Sequence, residues 1–220
     1  MRRIAAEIHR SLTALPRKNV LSVRILRREW SKLLKDRPGT SIIALAQRLV
    51  RLGLWERTLA YEIILHHRAA REALKPNDVT LLGRGMQSWG EVDSFSCYVA
   101  GPAWRQKDIP DSMVRGWTHS RDRWWRRAAL VSTVPLNNRA RGGRGDTFRT
   151  IKICRMLVRD REDMVIKALS WALRELSKRD HSAVELFLKR HQRVLPSRVN
   201  REVGNKLQTG LKNPRRSVAG

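Results

Sequence analysis

The chain has 220 residues, of which 41% are hydrophobic, so it has enough apolar side chains for a folded core and is not wholly disordered. Lysine and arginine total 46 against 20 aspartates and glutamates, a formal charge of +26. This excess is larger than solubility requires and predicts a polyanionic partner. There is no apolar stretch of membrane-spanning length and no apolar segment typical of a secretory signal, so we expect a cytoplasmic, nucleoid-associated protein.

The sequence contains no recognisable metal-binding or nucleotide-binding motif. Cys97 and Cys154 are the only cysteines, neither is in a CxxC pair, and the six histidines lack ligand spacing. The Gly83-Arg84-Gly85 segment is neither a Walker loop nor a complete dinucleotide-binding fingerprint. We therefore expect a protein that works without a cofactor or a metal ion.

Apolar residues recur at spacings of three and four with no alternating strand pattern, which predicts an all-α fold. Thr40, Asp146 and Asp160 occupy the expected N-cap positions, and a break is expected at Gly101-Pro102. The predicted helices span residues 2–14, 22–35, 40–52, 55–73, 77–98, 110–118, 121–134, 147–159, 161–178, 181–193 and 197–210.

This succession of short helices favours a helical-repeat array in a single domain, residues 1–213, followed by a flexible tail at 214–220. The segment that begins at Trp55 resembles those that begin at Trp125 and Val165, and a period of roughly 40 residues fits HEAT-like helix pairs. Equivalent positions of such repeats line one face. We therefore expect a C-shaped solenoid with a basic concave groove that carries a row of ionisable residues, namely Arg57, Asp93, Arg127 and Lys167.

Three of the predicted helices carry a tryptophan one turn from an ionisable residue, so that each pair shares a face: Trp89 with Asp93, Trp124 with Arg127, and Trp171 with Lys167. Tryptophans are usually core residues, and a surface carboxylate usually pairs with arginine. However, eight tryptophans against two tyrosines is an unusual balance for a core, and aromatic rings among cations suit stacking on bases. A carboxylate such as Asp93 in an electropositive groove could stabilise a cationic sugar or orient a water for hydrolysis.

The helix predicted over 147–159 carries a stripe of one sign, formed by Arg149, Lys152, Arg155 and Arg159. A solvated helix face normally mixes signs, so this stripe predicts contact with a phosphate backbone. The preceding loop, residues 137–145, places arginines among glycines and is either a mobile phosphate-contacting loop or a flexible linker.

Three segments together resemble the AlkD-type DNA alkylation repair glycosylases over roughly residues 50 to 195. They are Ser88-Trp89-Gly90-Glu91-Val92-Asp93-Ser94, Trp124-Trp125-Arg126-Arg127-Ala128-Ala129 and Ile166-Lys167-Ala168-Leu169-Ser170-Trp171-Ala172-Leu173-Arg174-Glu175, in that order. The resemblance implies HEAT-like helix pairs curved around duplex DNA, and excision of positively charged N3- and N7-alkylated purines without base flipping.

By resemblance, Trp89 and Trp171 pack against the deoxyribose of the lesion, Asp93 lies near its anomeric carbon, and Arg127 holds the adjacent backbone. The other predicted DNA-binding residues are Trp124, Lys167, Arg149, Lys152, Arg155 and Arg57. The chain departs from the family pattern at Gly90, where an acidic residue is common, and at residues 23–27, which lack a Thr-Pro pair. An N-terminal element that helps grip DNA is therefore expected to be reduced.

The leading hypothesis is thus a monofunctional alkylpurine DNA glycosylase that acts as a monomer on double-stranded DNA with alkylated bases. The alternative is a non-catalytic HEAT-like protein that binds damaged or branched DNA, and a third is a basic RNA-binding or scaffold solenoid. Asp93 between two tryptophans favours the enzyme, because a protein that only binds DNA does not require it. A charge of +26 is more than a scaffold needs, and no RNA-binding module is recognisable.

Overall fold

A computed structural model describes residues 1–214, and these form helices, turns and loops without a β-strand. The all-α prediction is therefore confirmed for the described residues. Contacts divide the chain into two compact units, residues Met1–Pro110 and the residues from Asp111 onward. The single-domain boundary, the solenoid shape and the basic groove stay predictions, and residues 215–220 of the predicted tail lie outside the described part. None of the described helices is both long enough and apolar enough to cross a membrane.

The first unit is built around helix α4, which is buried on almost every side. Its buried residues include Leu59, Tyr61 and Ile64, and it packs against α1, α2, α3 and α7, so it has no broad polar face. The helices of this unit are α1 (Arg2–Thr13), α2 (Val20–Leu34), α3 (Gly39–Leu49), α4 (Leu54–His66), α5 (Arg68–Ala73), α6 (Pro76–Gly83), α7 (Trp89–Phe95), a π-helical turn (Ser96–Ala100) and α8 (Gly101–Gln106).

Two long helices predicted in this unit are interrupted. The helix expected over 55–73 breaks at His67, whose Nδ1 accepts a hydrogen bond from the Ala70 N–H at 3.1 Å and caps α5. The helix expected over 77–98 ends at Gly83, and α7 begins only at Trp89. Both breaks depend on contacts of particular side chains, which helical periodicity does not reveal.

The chain break predicted at Gly101-Pro102 is wrong. The helix that begins at Trp89 passes through the π-helical turn and continues as α8 to Gln106. Proline has no N–H to donate inside a helix, and a local change of hydrogen-bond register is a known way to accommodate it. The two residues therefore lie within one continuous helical segment.

The N-cap predicted at Thr40 is also wrong, because α3 begins one residue earlier, at Gly39, after Pro38. A Cβ on Gly39 would lie 2.1 Å from the Ala69 carbonyl oxygen, so only glycine permits α3 to approach α5 this closely. The close approach of α3 to α5 therefore requires glycine at the first residue of α3.

The second unit is organised around α13, which packs between α10 and α15 and also contacts α11, α12 and α14. Its apolar stripe, which includes Val165, Leu169 and Leu173, is fully buried. The helices of this unit are α9 (Asp111–Trp117), α10 (Arg123–Val131), α11 (Val134–Asn137), a 3₁₀ turn (Arg139–Arg141), α12 (Thr147–Met156), α13 (Asp163–Leu176), α14 (His181–His191) and α15 (Ser197–Thr209).

Of the N-caps predicted in this unit, one is confirmed and one is wrong. Asp146 accepts a hydrogen bond from the Arg149 N–H at 2.9 Å and begins α12. Asp160 lies before α13 but does not cap it, because the helix begins at Asp163 after Glu162. The Asp160 carboxylate instead accepts from the Arg126 guanidinium at 2.7 Å and from the Glu162 N–H.

Candidate functional site

The start of α7 presents an aromatic side chain to solvent. Ser88 caps the helix by accepting a hydrogen bond from the Glu91 N–H, and Trp89 follows as the first helical residue with 59% of its surface exposed. Asp93 lies one turn later on the same face and is half-buried. A tryptophan this exposed adds little to the core, so Trp89 is available to contact a ligand.

A buried network holds the turn before Trp89 in place. The Arg57 guanidinium donates to the Leu82 carbonyl at 3.2 Å and to the Arg84 carbonyl at 3.0 Å, and its Nε forms an ion pair with Glu91 at 3.3 Å. The side chains of Arg57 and Glu91 are 6% and 11% exposed, so water screens this pair little. The pair therefore connects α4 directly to the first turn of α7.

Tyr61 and the turn itself complete this network. The Tyr61 hydroxyl accepts from Arg57 at 3.0 Å and donates to the Leu82 carbonyl at 2.8 Å, and burial raises its pKa to about 12. Glu91 accepts from the Gln87 N–H at 2.7 Å and from the Ser88 hydroxyl at 3.1 Å. The position of Trp89 at the start of α7 is thus set in large part by side chains of α4.

This network bears directly on the DNA-contact role predicted for Arg57. The residue is buried, and the partners described above are all groups of the protein. Its position favours a structural role, and direct contact with DNA stays a prediction. Sequence analysis did not identify Glu91 as the counter-ion of Arg57.

In the second unit, α10 and α13 pack side by side and bring two of the tryptophan pairs to neighbouring helices. Trp124 is half-buried, with the Arg123 guanidinium 4.9 Å from its ring centroid. Arg127 is buried and donates to the Met164 carbonyl at 2.6 Å, at the start of α13. Lys167 and the half-buried Trp171 follow on the same face of α13.

A cluster of cations surrounds one carboxylate at the start of α13. Asp163 accepts from Lys167 at 2.7 Å and pairs with Arg198 of α15 at 3.1 Å. The hydrogen bond from Lys167, followed by the charges of Lys167, Arg198 and Arg127, lowers the pKa of Asp163. Lys167 and Arg198, two cations on one carboxylate, leave a net positive charge at this surface, which suits an anionic ligand.

Sequence analysis missed Arg198 as a member of this cluster. It belongs to α15, and it has no motif or periodicity that sets it apart from the many other arginines. Only the packing of α15 on α13 brings it to Asp163. Trp125, next to Trp124, instead packs on Trp117 with ring centroids 5.1 Å apart.

The basic stripe predicted on α12 is not uniform. Arg149 donates to Asp146 at 2.6 Å and approaches Asp111 at 3.9 Å, whereas Lys152 and Arg155 are exposed. Arg149, Lys152 and Arg155 lie on α12, whereas Arg159 lies beyond the end of this helix at Met156, so the predicted helix over 147–159 is too long. None of the four lies on α10 or α13, the helices that carry Arg127 and Lys167. Contact of the stripe with phosphates stays a prediction.

The arginine-rich loop before α12 is tied to the rest of its unit. Arg179 donates to the Asn137 carbonyl at 2.8 Å and to the Gly143 carbonyl at 3.1 Å. A Cβ on Gly143 would lie 2.6 Å from the Pro135 carbonyl oxygen, so the backbone is closely packed there. These contacts do not fit a flexible linker.

Trp89 and Asp93 thus belong to the first unit, and Trp124, Arg127, Lys167 and Trp171 belong to the second. Trp89 and Asp93 share one face of α7, whereas the packing of α10 on α13 brings the second group to neighbouring helices. Among the described residues, no group of three or more histidines, cysteines or carboxylates is arranged to hold a metal ion.

A model of the DNA alkylation repair enzyme family matches residues 19–207, which include all of the side chains described above. Comparison with curated proteins and with solved structures gives no match. The family match covers most of the 220 residues and agrees with the resemblance carried by the three tryptophan-containing segments. The chain therefore belongs to the DNA alkylation repair enzyme family.

Proposed function

We propose that this protein is a monofunctional DNA glycosylase that excises positively charged N3- and N7-alkylated purines from duplex DNA. The observation that carries the proposal is the half-buried Asp93 one helical turn from the exposed Trp89, at a helix start held by a buried ion pair. A carboxylate beside an exposed tryptophan suits a hydrolase that passes through a cationic sugar, because the negative charge stabilises that cation.

The chemistry requires little from the protein. Alkylation at N3 or N7 makes the purine a cation, so it leaves without a general acid when the C1′–N bond breaks and the electron pair stays with the base. The deoxyribose becomes oxocarbenium-like, and the Asp93 carboxylate stabilises this charge. Water then adds to C1′ and loses a proton to the carboxylate or to solvent, which leaves a free base and an abasic site.

The tryptophans contribute in a second way. We assign to Trp89, and by the family resemblance to Trp171, packing on the deoxyribose, where the negative face of an aromatic ring stabilises the developing cation. Because Trp89 is mostly exposed, it can contact a nucleotide at the protein surface, and this supports a mechanism without base flipping.

Binding relies on the phosphate backbone. Lys167 and Arg198, with Trp124 on the neighbouring helix, form the electropositive surface that we assign to DNA, and such contacts do not read sequence. Arg127 is buried, and its contribution to DNA binding is assigned from the family resemblance. The enzyme acts as a monomer in the cytoplasm, associated with the nucleoid, and uses no cofactor.

The test is single-turnover release of free base from duplex DNA that contains 7-methylguanine. Wild-type protein should release the base, and Asp93→Asn should lower the rate by roughly 10²-fold or more, because the charge opposite the sugar is lost. Affinity for undamaged DNA should be equal or slightly higher. Asp36→Asn is the matched control: its side chain is 87% exposed and lies outside the site, so excision should be unchanged.

Two outcomes would overturn the assignment. A wild-type protein that binds duplex DNA but releases no base would be a binding protein, the alternative function. Wild-type excision rates in a folded Asp93→Asn protein would show that the carboxylate has no role in the reaction. Melting curves of both variants separate a lost function from a lost fold.

A further inference from the structure

The second unit contains an apolar groove that the proposed reaction does not use. It lies between α12 and α14, has a volume of about 580 Å³, and is lined by aliphatic and aromatic side chains that include Ile151, Leu186 and Phe187. Phe148 at its edge is 72% exposed, and Leu186 is 47% exposed. Large apolar side chains concentrated in a surface groove are typical of a binding site for a protein or a ligand.

The rim of this groove is basic. Lys152 and Arg155 of α12 and Arg190 of α14 are all among its lining residues, and none of the described lining residues carries a carboxylate. The nearby His191 has a lowered pKa because of burial, and the charges of Arg155 and Arg190 lower it further. The cations of α12 and α14 therefore both contribute positive charge to the groove.

We propose that this groove docks an acidic amphipathic helix of a partner protein, with its apolar side chains on the groove floor and its carboxylates against the rim. α12 has 10 residues and α14 has 11, so each offers about 15 Å of length, or roughly three turns of a docked helix. Recognition of this kind uses apolar anchors at i, i+3 or i+4, and i+7. Charge complementarity with the rim selects an acidic segment over a neutral or basic one.

Other occupants fit the groove less well. Duplex phosphates gain nothing from apolar lining residues. Unstacked bases need free aromatic faces, whereas Phe187 packs on His191 at 4.6 Å and the Lys152 ammonium lies over the exposed Phe148 ring, 5.6 Å from its centroid. A second copy of a chain with a charge of +26 would be repelled by the basic rim. The chain's own last residues, which include Arg215 and Arg216, have the same sign as the rim.

The probe is a fluorescein-labelled helical peptide of about 16 residues, with leucines at i, i+4, i+7 and i+11 between flanking glutamates. A peptide of identical composition and scrambled order is its control. Fluorescence polarisation should show that the patterned peptide binds at least tenfold more tightly than the scrambled one. Its affinity should fall as salt is raised, because the rim contacts are charge pairs.

The variants assign this binding to the groove. Leu186→Glu and Phe148→Ser should each weaken peptide binding tenfold or more, and Lys152→Glu with Arg155→Glu should do the same. Leu33→Glu is the matched control, since Leu33 of α2 is 70% exposed and lies in the other unit, so it should leave the affinity unchanged. Both groove side chains are exposed, so circular dichroism and melting curves should match wild type.

The proposal fails if the two peptides bind equally, or if neither Leu186→Glu nor Phe148→Ser changes the affinity. It also fails if the Lys152 and Arg155 double variant loses duplex DNA affinity but keeps the peptide, since those cations would then serve DNA. A concentration-dependent dimer that Leu186→Glu abolishes would assign the groove to a second copy. None of these readouts depends on excision, so the glycosylase proposal stands or falls separately.

Discussion

Replacing Arg57 by methionine should remove the group that connects α4 to the start of α7. The methionine side chain would keep the aliphatic packing but leave the Glu91 carboxylate, 11% exposed, without its counter-charge. Removing one partner of a buried ion pair costs about 3–5 kcal/mol. That is a large fraction of the roughly 5–15 kcal/mol by which domains are stable, so the urea midpoint should fall clearly.

Tyr61→Phe provides a graded comparison. It removes the hydroxyl that accepts from Arg57 and donates to the Leu82 carbonyl, but leaves the ion pair intact. The loss of these two hydrogen bonds should cost only about 1–2 kcal/mol, because no buried charge is left unpaired. Arg57→Met should destabilise the protein well beyond Tyr61→Phe, because it removes more hydrogen bonds and also leaves the Glu91 charge unpaired.

The excision rate should also fall when Arg57 is removed from this network. At a temperature where the Arg57→Met protein is still folded, single-turnover excision should be slower than wild type, because Trp89 and Asp93 are less firmly positioned. The double variant Arg57→Met with Glu91→Met should regain part of the stability, since no buried charge is left unpaired.

The measurements are urea unfolding of the wild type, Tyr61→Phe, Arg57→Met, Glu91→Met and the double variant, and excision at matched folded fraction. A stability change in Arg57→Met below about 0.5 kcal/mol, or strictly additive effects in the double variant, would refute the buried-pair reasoning. If Arg57 contacts DNA instead, the urea midpoint should be unchanged. The slope of log affinity against log salt should then decrease by about one unit.

The affinity of the protein for duplex DNA should fall steeply with salt, with a slope of several units for log affinity against log salt concentration. Lys167→Glu should weaken binding to all sequences alike, and a salt-independent affinity in a titration series would contradict the phosphate contacts. Asp180→Ala should cost about 0.5–2 kcal/mol at neutral pH, because Asp180 caps α14. The hydrogen bonds from Thr147 and the Ala183 N–H lower the pKa of Asp180, so its contribution is complete above the unfolded pKa of about 3.9. It is lost as the pH falls through the lower folded value, and the urea midpoints of the two proteins should converge there. Gly90→Ala should stabilise the protein by up to about 1 kcal/mol in thermal unfolding, since a Cβ there meets nothing within 4 Å; a lower melting temperature would show that the space is needed.

Local sequence determined much of the helical structure. Spacings of three and four predicted the helices, and Asp146 was recognisable as an N-cap because a cap needs only the three residues that follow it. Trp89 and Asp93 were correctly expected to share a face, since a spacing of four fixes this on any helix. The family resemblance could also be recognised from the sequence, because the three segments that carry it are short and continuous.

Tertiary packing decided what the local pattern left open. His67 interrupts one predicted helix through its bond to Ala70, and the segment after Trp89 continues through Pro102 by a π-helical turn. The spacing of apolar residues predicted an uninterrupted helix at His67 and a break at Pro102. It could not do better, because it contains no information on side-chain hydrogen bonds or on the hydrogen-bond register of the helix.

The same holds for the charged residues. Arg57 and Lys167 occupy similar sequence contexts, yet Arg57 is buried against Glu91 while Lys167 is exposed beside Asp163. From sequence, Lys152 and Arg155 belong to a basic stripe. In the structure, Leu186 and Phe187 of α14 lie beside them and form an apolar groove. Sequence specifies which charges a helix carries, but the burial of a charge and the chemistry of its surroundings depend on residues distant in the chain, and only the fold brings these together.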